Sequence, residues 1–345
     1  MKKFLQHISY TYEYIRNVRK KTIGGTILRS VIMNLESYAG SPIYVNAVVR
    51  DNMPNGSKVG CVVAIHDIPG NDKSYISLIK PLTNKGIRFI AINLPGFGYS
   101  SYDKKLKCSS NERLFYTETI CKNIVHPTEK VIFIGLGRGC ETAIKMTHDY
   151  YKKGSVGCIA ISPYGIVNDH LHDHSSVAVI HHLFKSLKNF GSHQLQPLLD
   201  IIYGYGKNYY HDIHMIKIRG SKAMKRTIAE IDFSTLPPYI ENISRQEQKF
   251  ALVYGGRNKR IKPSASLSLA MYLDEYKHFK VFKNNTNVII KRIKETFKND
   301  ISNIIVNVEY SKHKVQKVSP KFIADLCDVM FRTSKLNIDN NNNPD

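Results

Sequence analysis

The 345-residue chain is long for one simple domain, but α/β folds that carry insertions reach this length as a single unit. A hydrophobic fraction of 42% provides for a large core, and no run of about 18 apolar residues occurs, which excludes a predicted membrane-spanning helix. The 50 Lys and Arg against 28 Asp and Glu give a net charge of +22, which favours anionic partners. Because the basic residues are dispersed and Lys, Asn, Ile and Tyr are all abundant, we interpret this excess mainly as a compositional bias.

The cysteines and the N-terminal segment bear on the compartment. The six cysteines form no CxxC pair and none of the spacings typical of disulfide-rich secreted domains. Residues 1–25 are basic and contain one acid, Glu13, but lack the apolar core of a secretory signal. We therefore predict a cytoplasmic protein, with a mitochondrial presequence in this segment as the alternative.

Short apolar runs alternate with amphipathic stretches along the chain. An antiparallel pair comes first, and the β-branched runs after it are typical of parallel strands covered on both faces. This alternation predicts an α/β fold with a mostly parallel sheet of about eight strands and helices on both faces. The predicted strands are 26–35, 43–50, 61–67, 87–94, 130–136, 156–162, 249–256 and 303–310. The predicted helices are 73–84, 112–125, 139–153, 264–278 and 318–332.

One long segment of mixed helical and loop character interrupts the alternation late in the sheet, where a lid or cap is expected. The predicted organisation is therefore a core in two parts, separated by a helical insertion. Its units are a basic N-terminal segment at 1–25, the core at 26–164 and 248–334, a helical cap at 165–247 and a disordered tail at 335–345.

Four ordered motifs resemble those of the α/β-hydrolase superfamily. “AIHDIPGNDKSYISLI” (64–79) resembles the HGxPG segment after the third strand, and “AINLPGFGYSS” (91–101) is similar to the D-x-P-G-x-G-x-S stretch after the next. “IGLGRGC” (134–140) lies where that family carries its G-x-S-x-G nucleophile elbow. “YSKHKVQKVSPKFIAD” (310–325) resembles a stretch of the nematode-type hydrolase-like proteins of unassigned function. The resemblance extends over most of 27–332 and implies an α/β-hydrolase fold with a cap.

The elbow sequence keeps its glycines but not a nucleophile. The apex of such a turn adopts a positive φ, and the residues two places away must be small, as Gly135 and Gly139 are. The apex residue is Gly137, which accepts this backbone conformation at little cost and supplies no reactive side chain. The resemblance therefore implies a vacant nucleophile position.

The resemblance also assigns the other triad positions. His313 matches the catalytic histidine of the family. The acid is expected shortly after the strand 249–256, where this chain has Asn258, an amide that can orient a histidine but cannot stabilise an imidazolium. Asp169, after the preceding strand, is the alternative acid.

An oxyanion hole is implied by the same resemblance, made of the backbone N–H groups of Arg138 and of Ile68 or Asp67. Backbone donors survive side-chain substitution, so the hole can persist as a site for an anion or a carbonyl. The HGxPG-like positions are His66, Pro69 and Gly70. Because Asp67 replaces the glycine of that motif, we expect its side chain to crowd the hole.

Three other patterns are not interpreted as functional sites. Cys140 follows the elbow but is expected to pack in the core. The glycines at 135 and 137 lack the third glycine and the acid of a dinucleotide site. “DHLHDH” (169–174), in a histidine-rich insertion, is interpreted as a polar loop and not as a zinc site. We predict no metal and no cofactor.

Three functions remain open from the sequence. The first is a catalytically silent hydrolase-fold protein that uses its cleft or cap to bind a small acyl or lipid-like ligand. The second is a divergent hydrolase of esters or related acyl bonds, in which His313 activates water beside the backbone hole. The third is a basic adaptor for a membrane surface or a nucleic acid, of which the nucleic acid is the less favoured. The sequence makes no prediction of oligomeric state.

Overall fold

A computed structural model describes residues 12–18, 25–36, 42–166 and 218–336. Over these ranges ten strands form one sheet in the order β1-β2-β3-β5-β4-β6-β7-β8-β10-β9. The strands are β1 (Tyr12–Val18), β2 (Ile27–Glu36), β3 (Pro42–Asp51), β4 (Cys61–Ile65), β5 (Arg88–Ile92), β6 (Val131–Leu136), β7 (Ser155–Ile161), β8 (Lys249–Gly255), β9 (Tyr276–Val281) and β10 (Asn303–Val308).

Nine α-helices accompany the sheet in the described ranges. They are α1 (Ile76–Thr83), α2 (Ser110–Ile124), α3 (Gly139–Asp149), α4 (Ile218–Ala229), α5 (Pro237–Arg245), α6 (Pro263–Leu267), α7 (Thr286–Lys298), α8 (Val315–Val318) and α9 (Pro320–Arg332). Short 3₁₀ turns cover Asp72–Tyr75, Tyr151–Lys153, Phe233–Thr235 and Ser268–Tyr272.

The direction of pairing divides the sheet into two parts. The strands β1, β2, β3 and β5 pair antiparallel in succession, whereas every pair from β5 to β9 along the sheet is parallel. Every residue of the central strands β4 to β8 is buried, because helices cover both faces. The helices α2, α3 and α5 lie in the core on one face, and α1, α7 and α9 lie in the core on the other. The predicted α/β fold with a mostly parallel sheet is confirmed.

The last part of the core differs from the sequence prediction. The predicted helix 264–278 is wrong, because α6 ends at Leu267, a 3₁₀ turn covers Ser268–Tyr272, and the edge strand β9 begins at Tyr276. In β9 only Phe279 and Val281 are buried. A strand with so few inward apolar residues gives a weak signal in the sequence. β1 is the other strand beyond the predicted eight.

Part of the predicted cap lies outside the described residues. The range 167–217, with the histidine-rich stretch and Asp169, is not among them. The described part, α4 and α5, packs onto the core: Leu236, Ile240 and Ile243 are fully buried, and the guanidinium of Arg226 donates to two backbone carbonyls of the loop before α2. The boundaries of the cap stay a prediction. In the described part of the chain every helix is too short or too polar to cross a bilayer.

Candidate active site

The strand–turn–helix at the carboxyl end of β6 is built around three glycines. A Cβ atom on Gly135 would overlap the backbone of Cys140, and one on Gly139 would overlap the carbonyl oxygen of Ile65. The turn between them places Gly137 at a φ of +54°. Glycine adopts this left-handed conformation readily, so the backbone takes the form of a nucleophile elbow without a nucleophile.

The side chain of Asp67 lies directly over the apex of this elbow. A Cβ atom built on Gly137 would fall 2.5 Å from both Cγ and Oδ1 of Asp67. Asp67 follows β4, the strand beside β6, and its residue is 2% exposed. Any side chain at position 137 would therefore have to displace the Asp67 carboxylate.

Both backbone donors that were assigned to the oxyanion hole bind this carboxylate. The N–H of Ile68 donates to Asp67 Oδ1 at 2.8 Å, and the N–H of Arg138 donates to the same oxygen at 3.0 Å. The donors of such a hole stabilise negative charge in an acyl-transfer transition state. Here they stabilise a permanent negative charge that belongs to the chain.

The second carboxylate oxygen binds two side chains. His313 Nε2 lies 3.0 Å from Asp67 Oδ2, and the guanidinium Nη1 of Arg260 lies 3.1 Å from it. Burial acts to raise the pKa of Asp67, but Arg260, His313 and Arg138 outweigh this effect and hold it far below the usual range. Asp67 is therefore an ionised, buried carboxylate in which both oxygens are occupied.

His313 lies in the loop that follows β10 and is 7% exposed. Burial lowers its pKa, and the cation of Arg260 lowers it further, against the raising effect of Asp67. A neutral imidazole that donates from Nε2 to Asp67 leaves Nδ1 as an acceptor, and Nδ1 has no hydrogen-bond partner among the described residues. His313 thus holds Asp67 rather than a nucleophile.

Asn258, at the position assigned to the triad acid, shapes the loop after β8. Its Oδ1 accepts from the backbone N–H groups of Arg260 at 3.0 Å and Ile261 at 3.2 Å, which fixes the orientation of the amide. Within the described ranges its Nδ2 is buried without a partner. Asn258 therefore supports the turn that carries Arg260. Arg260 lies in the basic stretch “GGRNKRIK”, where nothing in the sequence distinguishes it from the other cations.

The HGxPG-like segment sets the path of the chain on which Asp67 lies. His66 Nε2 accepts from the backbone N–H of Leu94 at 3.1 Å, and its Nδ1 lies 2.7 Å from the carbonyl oxygen of Asp67. Burial lowers the pKa of His66. The Ile68–Pro69 peptide is cis, and a Cβ atom on Gly70 would overlap the carbonyl of Asp67. These contacts make the segment a rigid support and occupy both nitrogens of His66.

Arg138 connects the elbow to its surroundings. Its Nη1 donates to the carbonyl oxygen of Ile68 at 3.1 Å and to the hydroxyl of Tyr164 at 2.9 Å. The guanidinium also lies 4.3 Å from the centre of the Tyr164 ring, within the range of a cation–π contact. The backbone N–H and the side chain of Arg138 therefore both hold the turn after β6 against the loop after β4.

Cys140 lies in the core directly after the elbow. Cys140 is fully buried, its thiol lies 3.5 Å from the carbonyl of Ile161, and burial raises its pKa well above the usual value. A buried thiol of this kind is a poor nucleophile. In the four described ranges, no group of three His, Cys, Asp or Glu could hold a metal ion. Asp169 and the “DHLHDH” stretch lie outside these ranges.

Comparisons with known proteins agree with this architecture. “Uncharacterized protein F35H12.5” of Caenorhabditis elegans is 21% identical over 294 residues, which cover 83% of this chain and 81% of that protein. A crystal structure of MGS-M2, an α/β hydrolase from a Medee basin deep-sea metagenome library, is similar with 10% identity and a TM-score of 0.57, covering 85% of this chain and 96% of its own.

A bromoperoxidase from Bacillus anthracis is similar to the same degree, with 12% identity and a TM-score of 0.57 over 88% of this chain and 99% of its own. At these identities the solved structures show the fold alone. The family described as “Alpha/beta hydrolase of unknown function (DUF1057)” matches residues 26–332, and the chain belongs to this family.

Proposed function

We propose that this α/β-hydrolase-fold protein is catalytically silent and that it binds a ligand in its cleft instead of hydrolysing one. One observation carries the proposal: the Asp67 carboxylate accepts both oxyanion-hole N–H groups and is paired with His313 and Arg260. A carbonyl oxygen of a substrate would have to replace a fully paired anion at this point. The ligand that we propose is small and acyl or lipid-like, held between the cleft and the predicted cap.

The arrangement also argues against the second function, a divergent hydrolase of esters. In that mechanism His313 activates water while the hole stabilises the oxyanion. Here the Nε2 of His313 is bound to Asp67, and a negative charge already lies where negative charge would develop. The like charges repel, so the carboxylate would raise the barrier of acyl transfer rather than lower it.

Restoration of the missing groups tests the proposal. Four proteins are compared on a panel of short-chain and long-chain aryl esters: the wild type, Gly137→Ser, Gly137→Ser/Asp67→Gly, and the last variant with Asn258→Asp added. Gly137→Ser alone is expected to stay inactive, because its Cβ collides with Asp67. Only the variants that also lack the Asp67 side chain should turn over esters, at rates about 10²-fold or more above background, since the hole and the histidine then become available.

His313→Ala in each background is the control for a histidine-dependent reaction. Wild-type turnover of any ester that His313→Ala abolishes would overturn the silent assignment. Circular dichroism and a urea titration of every variant separate a loss of folding from a lack of activity. Ligand binding is measured on the wild type with medium-chain fatty acids as probes, and we expect binding without turnover.

A basic face supports a second candidate function, contact with an anionic membrane surface. Six exposed lysines lie on the edge strand β9, the turn after it and α7. The same segment carries the apolar residues Phe282 and Val288, which are 47% and 57% exposed. Exposed apolar side chains on elements rich in exposed lysines suit the headgroup region of an anionic bilayer. The lysines are Lys277, Lys280, Lys283, Lys291, Lys294 and Lys298.

Co-sedimentation with vesicles tests this second function. The protein should bind phosphatidylserine-containing vesicles and not phosphatidylcholine vesicles, and high salt should release it. A Lys280→Glu/Lys283→Glu variant should lose most of the binding, whereas Lys122→Glu/Lys152→Glu, an equal charge change elsewhere, should not. Equal binding to both vesicle types, or to none at low salt, would overturn it.

We propose a cytoplasmic location for the protein, since all six cysteines are buried and unpaired.

A further inference from the structure

A second polar site lies at the opposite edge of the sheet from the elbow. A cavity of about 250 Å³ opens where β7 and β8 begin, at Ser155 and Lys249. Gln246, Gln248 and Phe297 form further parts of its wall. Because β6, β7 and β8 are parallel, this amino edge is separated from the elbow by the length of the strands.

Lys249 is a buried cation that has no ion-pair partner among the described residues. Its residue is 6% exposed, its Nζ donates to the carbonyl oxygen of Thr333 at 3.0 Å, and it lies 5.4 Å from the centre of the Phe297 ring. Among the described residues the Lys249 ammonium forms no ion pair, because the nearby carboxylate of Asp300 is bound to Lys335. A buried charge without a counter-ion carries an unmet desolvation cost.

The same wall carries unsatisfied acceptors. The Nε2 of Gln248 donates to the carbonyl oxygens of Thr147 at 2.9 Å and Ser155 at 3.0 Å, which fixes the orientation of the amide. Its Oε1 is therefore an acceptor, and in the described part of the chain it has no donor. The Oε1 of Gln246 and the Oγ of Ser155 are likewise buried without partners. Buried polar atoms are nearly always hydrogen-bonded, so three such atoms around one cavity indicate a missing partner.

We propose that this cavity binds a small carboxylic acid that also carries a hydroxyl or amino group. The carboxylate pairs with the Lys249 ammonium. A hydroxyl group, which has one proton, donates to the amide oxygen of Gln246, and an amino group donates to those of both Gln246 and Gln248. The short carbon chain contacts the ring of Phe297. Glu247 and Asp300 also line the cavity, but among the described residues neither pairs with the Lys249 ammonium. The occupant thus supplies a counter-ion for Lys249 and a donor for the amide oxygens.

A set of matched probes tests the charge and the donor separately. Lactate and glycine carry both groups, propionate carries only the carboxylate, and lactamide carries only the hydroxyl beside a neutral amide. Binding is followed by NMR chemical-shift changes at probe concentrations up to about 10 mM, a range that detects millimolar affinity. We expect saturable binding of lactate or glycine, propionate about tenfold weaker, and no saturation with lactamide.

Two variants locate the site. Lys249→Met should weaken the binding of lactate at least tenfold, whereas Lys122→Met, on the exposed face of α2, should leave it unchanged. Gln246→Leu should weaken lactate severalfold and leave propionate unaffected, a difference that a general loss of folding cannot produce. The proposal is overturned if neither lactate nor glycine saturates, if Lys249→Met binds as the wild type does, or if propionate binds as tightly as lactate.

Discussion

The two ends of the parallel strands, called here the carboxyl edge and the amino edge, differ in how fully their buried charges are paired. At the carboxyl edge, Asp67 has both oxygens occupied by two backbone N–H groups, an imidazole and a guanidinium. At the amino edge, within the described ranges, the Lys249 ammonium has one hydrogen bond, to a neutral carbonyl, and shares a cavity with three polar atoms that have no partner. A buried group that the chain itself satisfies closes a site, whereas one that the chain leaves unsatisfied requires an external partner. At the region that resembles an active site, the oxyanion-hole donors are therefore closed to a substrate carbonyl.

Removal of the Asp67 side chain should give the largest effect on stability. Asp67→Leu is expected to destabilise the fold by about 3 to 5 kcal/mol, because it leaves the backbone N–H groups of Ile68 and Arg138 without their acceptor and removes the carboxylate that pairs with His313. Asp67→Asn keeps the shape of the side chain and should cost less. The measurement is urea unfolding at neutral pH, with Asp274→Leu on an exposed loop as the control. A cost below about 1 kcal/mol would show that the carboxylate does not hold the two loops closed.

Addition of one methyl group at the elbow should give the next effect. Gly137→Ala forces Asp67 to move, and we expect a loss of about 2 to 3 kcal/mol, of which part is the strain of a positive φ. Gly25→Ala separates the two causes. Gly25 also has a positive φ, +76°, but, apart from its chain neighbours, no described residue lies within 4 Å of a Cβ atom built on it. If both variants lose the same stability, the Asp67 carboxylate does not crowd position 137.

Acid should lower the folding stability that Asp67 contributes at the carboxyl edge. The pKa of Asp67 is lowered in the fold, so its contribution is complete above about pH 4 and declines as the pH falls below that value. The pKa of His313 is also lowered, so protonation below about pH 6.5 favours the unfolded chain as well. Between about pH 4 and about pH 2 the wild type should lose about 2 kcal/mol more than Asp67→Asn, measured by urea unfolding at each pH. Parallel curves would contradict the pairing.

At the amino edge, removal of the Lys249 charge should stabilise the fold instead of destabilising it. Burial lowers the pKa of Lys249 to about 8; the cations of Lys335 and Lys130 lower it too, while Asp300 and Glu247 raise it. Lys249→Met removes the unpaired charge at the cost of one hydrogen bond, and we expect stabilisation by about 1 kcal/mol at pH 7. Because the folded pKa lies below the unfolded one, the wild type should gain stability as the pH rises from about 8 to about 10, and the variant should not. A destabilised variant would mean that Lys249 is satisfied within the fold.

Much of the fold follows from local patterns in the sequence. The buried strands β4 to β8 stand out because their residues are apolar throughout, and the strand–turn–helix at 131–149 stands out because its glycines are closely spaced. The edge strand β9 was missed because only two of its residues are apolar and buried. The helix α7 was missed although its buried Ile289, Ile293 and Phe297 follow a helical spacing. Arg260 was missed for a different reason, because one cation among many in a basic chain has no distinct signal.

Most of the sheet, the elbow and the lack of a nucleophile at Gly137 could be predicted from residue types and their spacing, because these set backbone conformation over short distances. What lies over Gly137 depends on contacts between distant segments of the chain. Asp67 and His313 are 246 positions apart, and Asp67 and Arg138 are 71 apart. A side chain turns inward when partners from distant segments repay its desolvation, and no local pattern records where those partners will be.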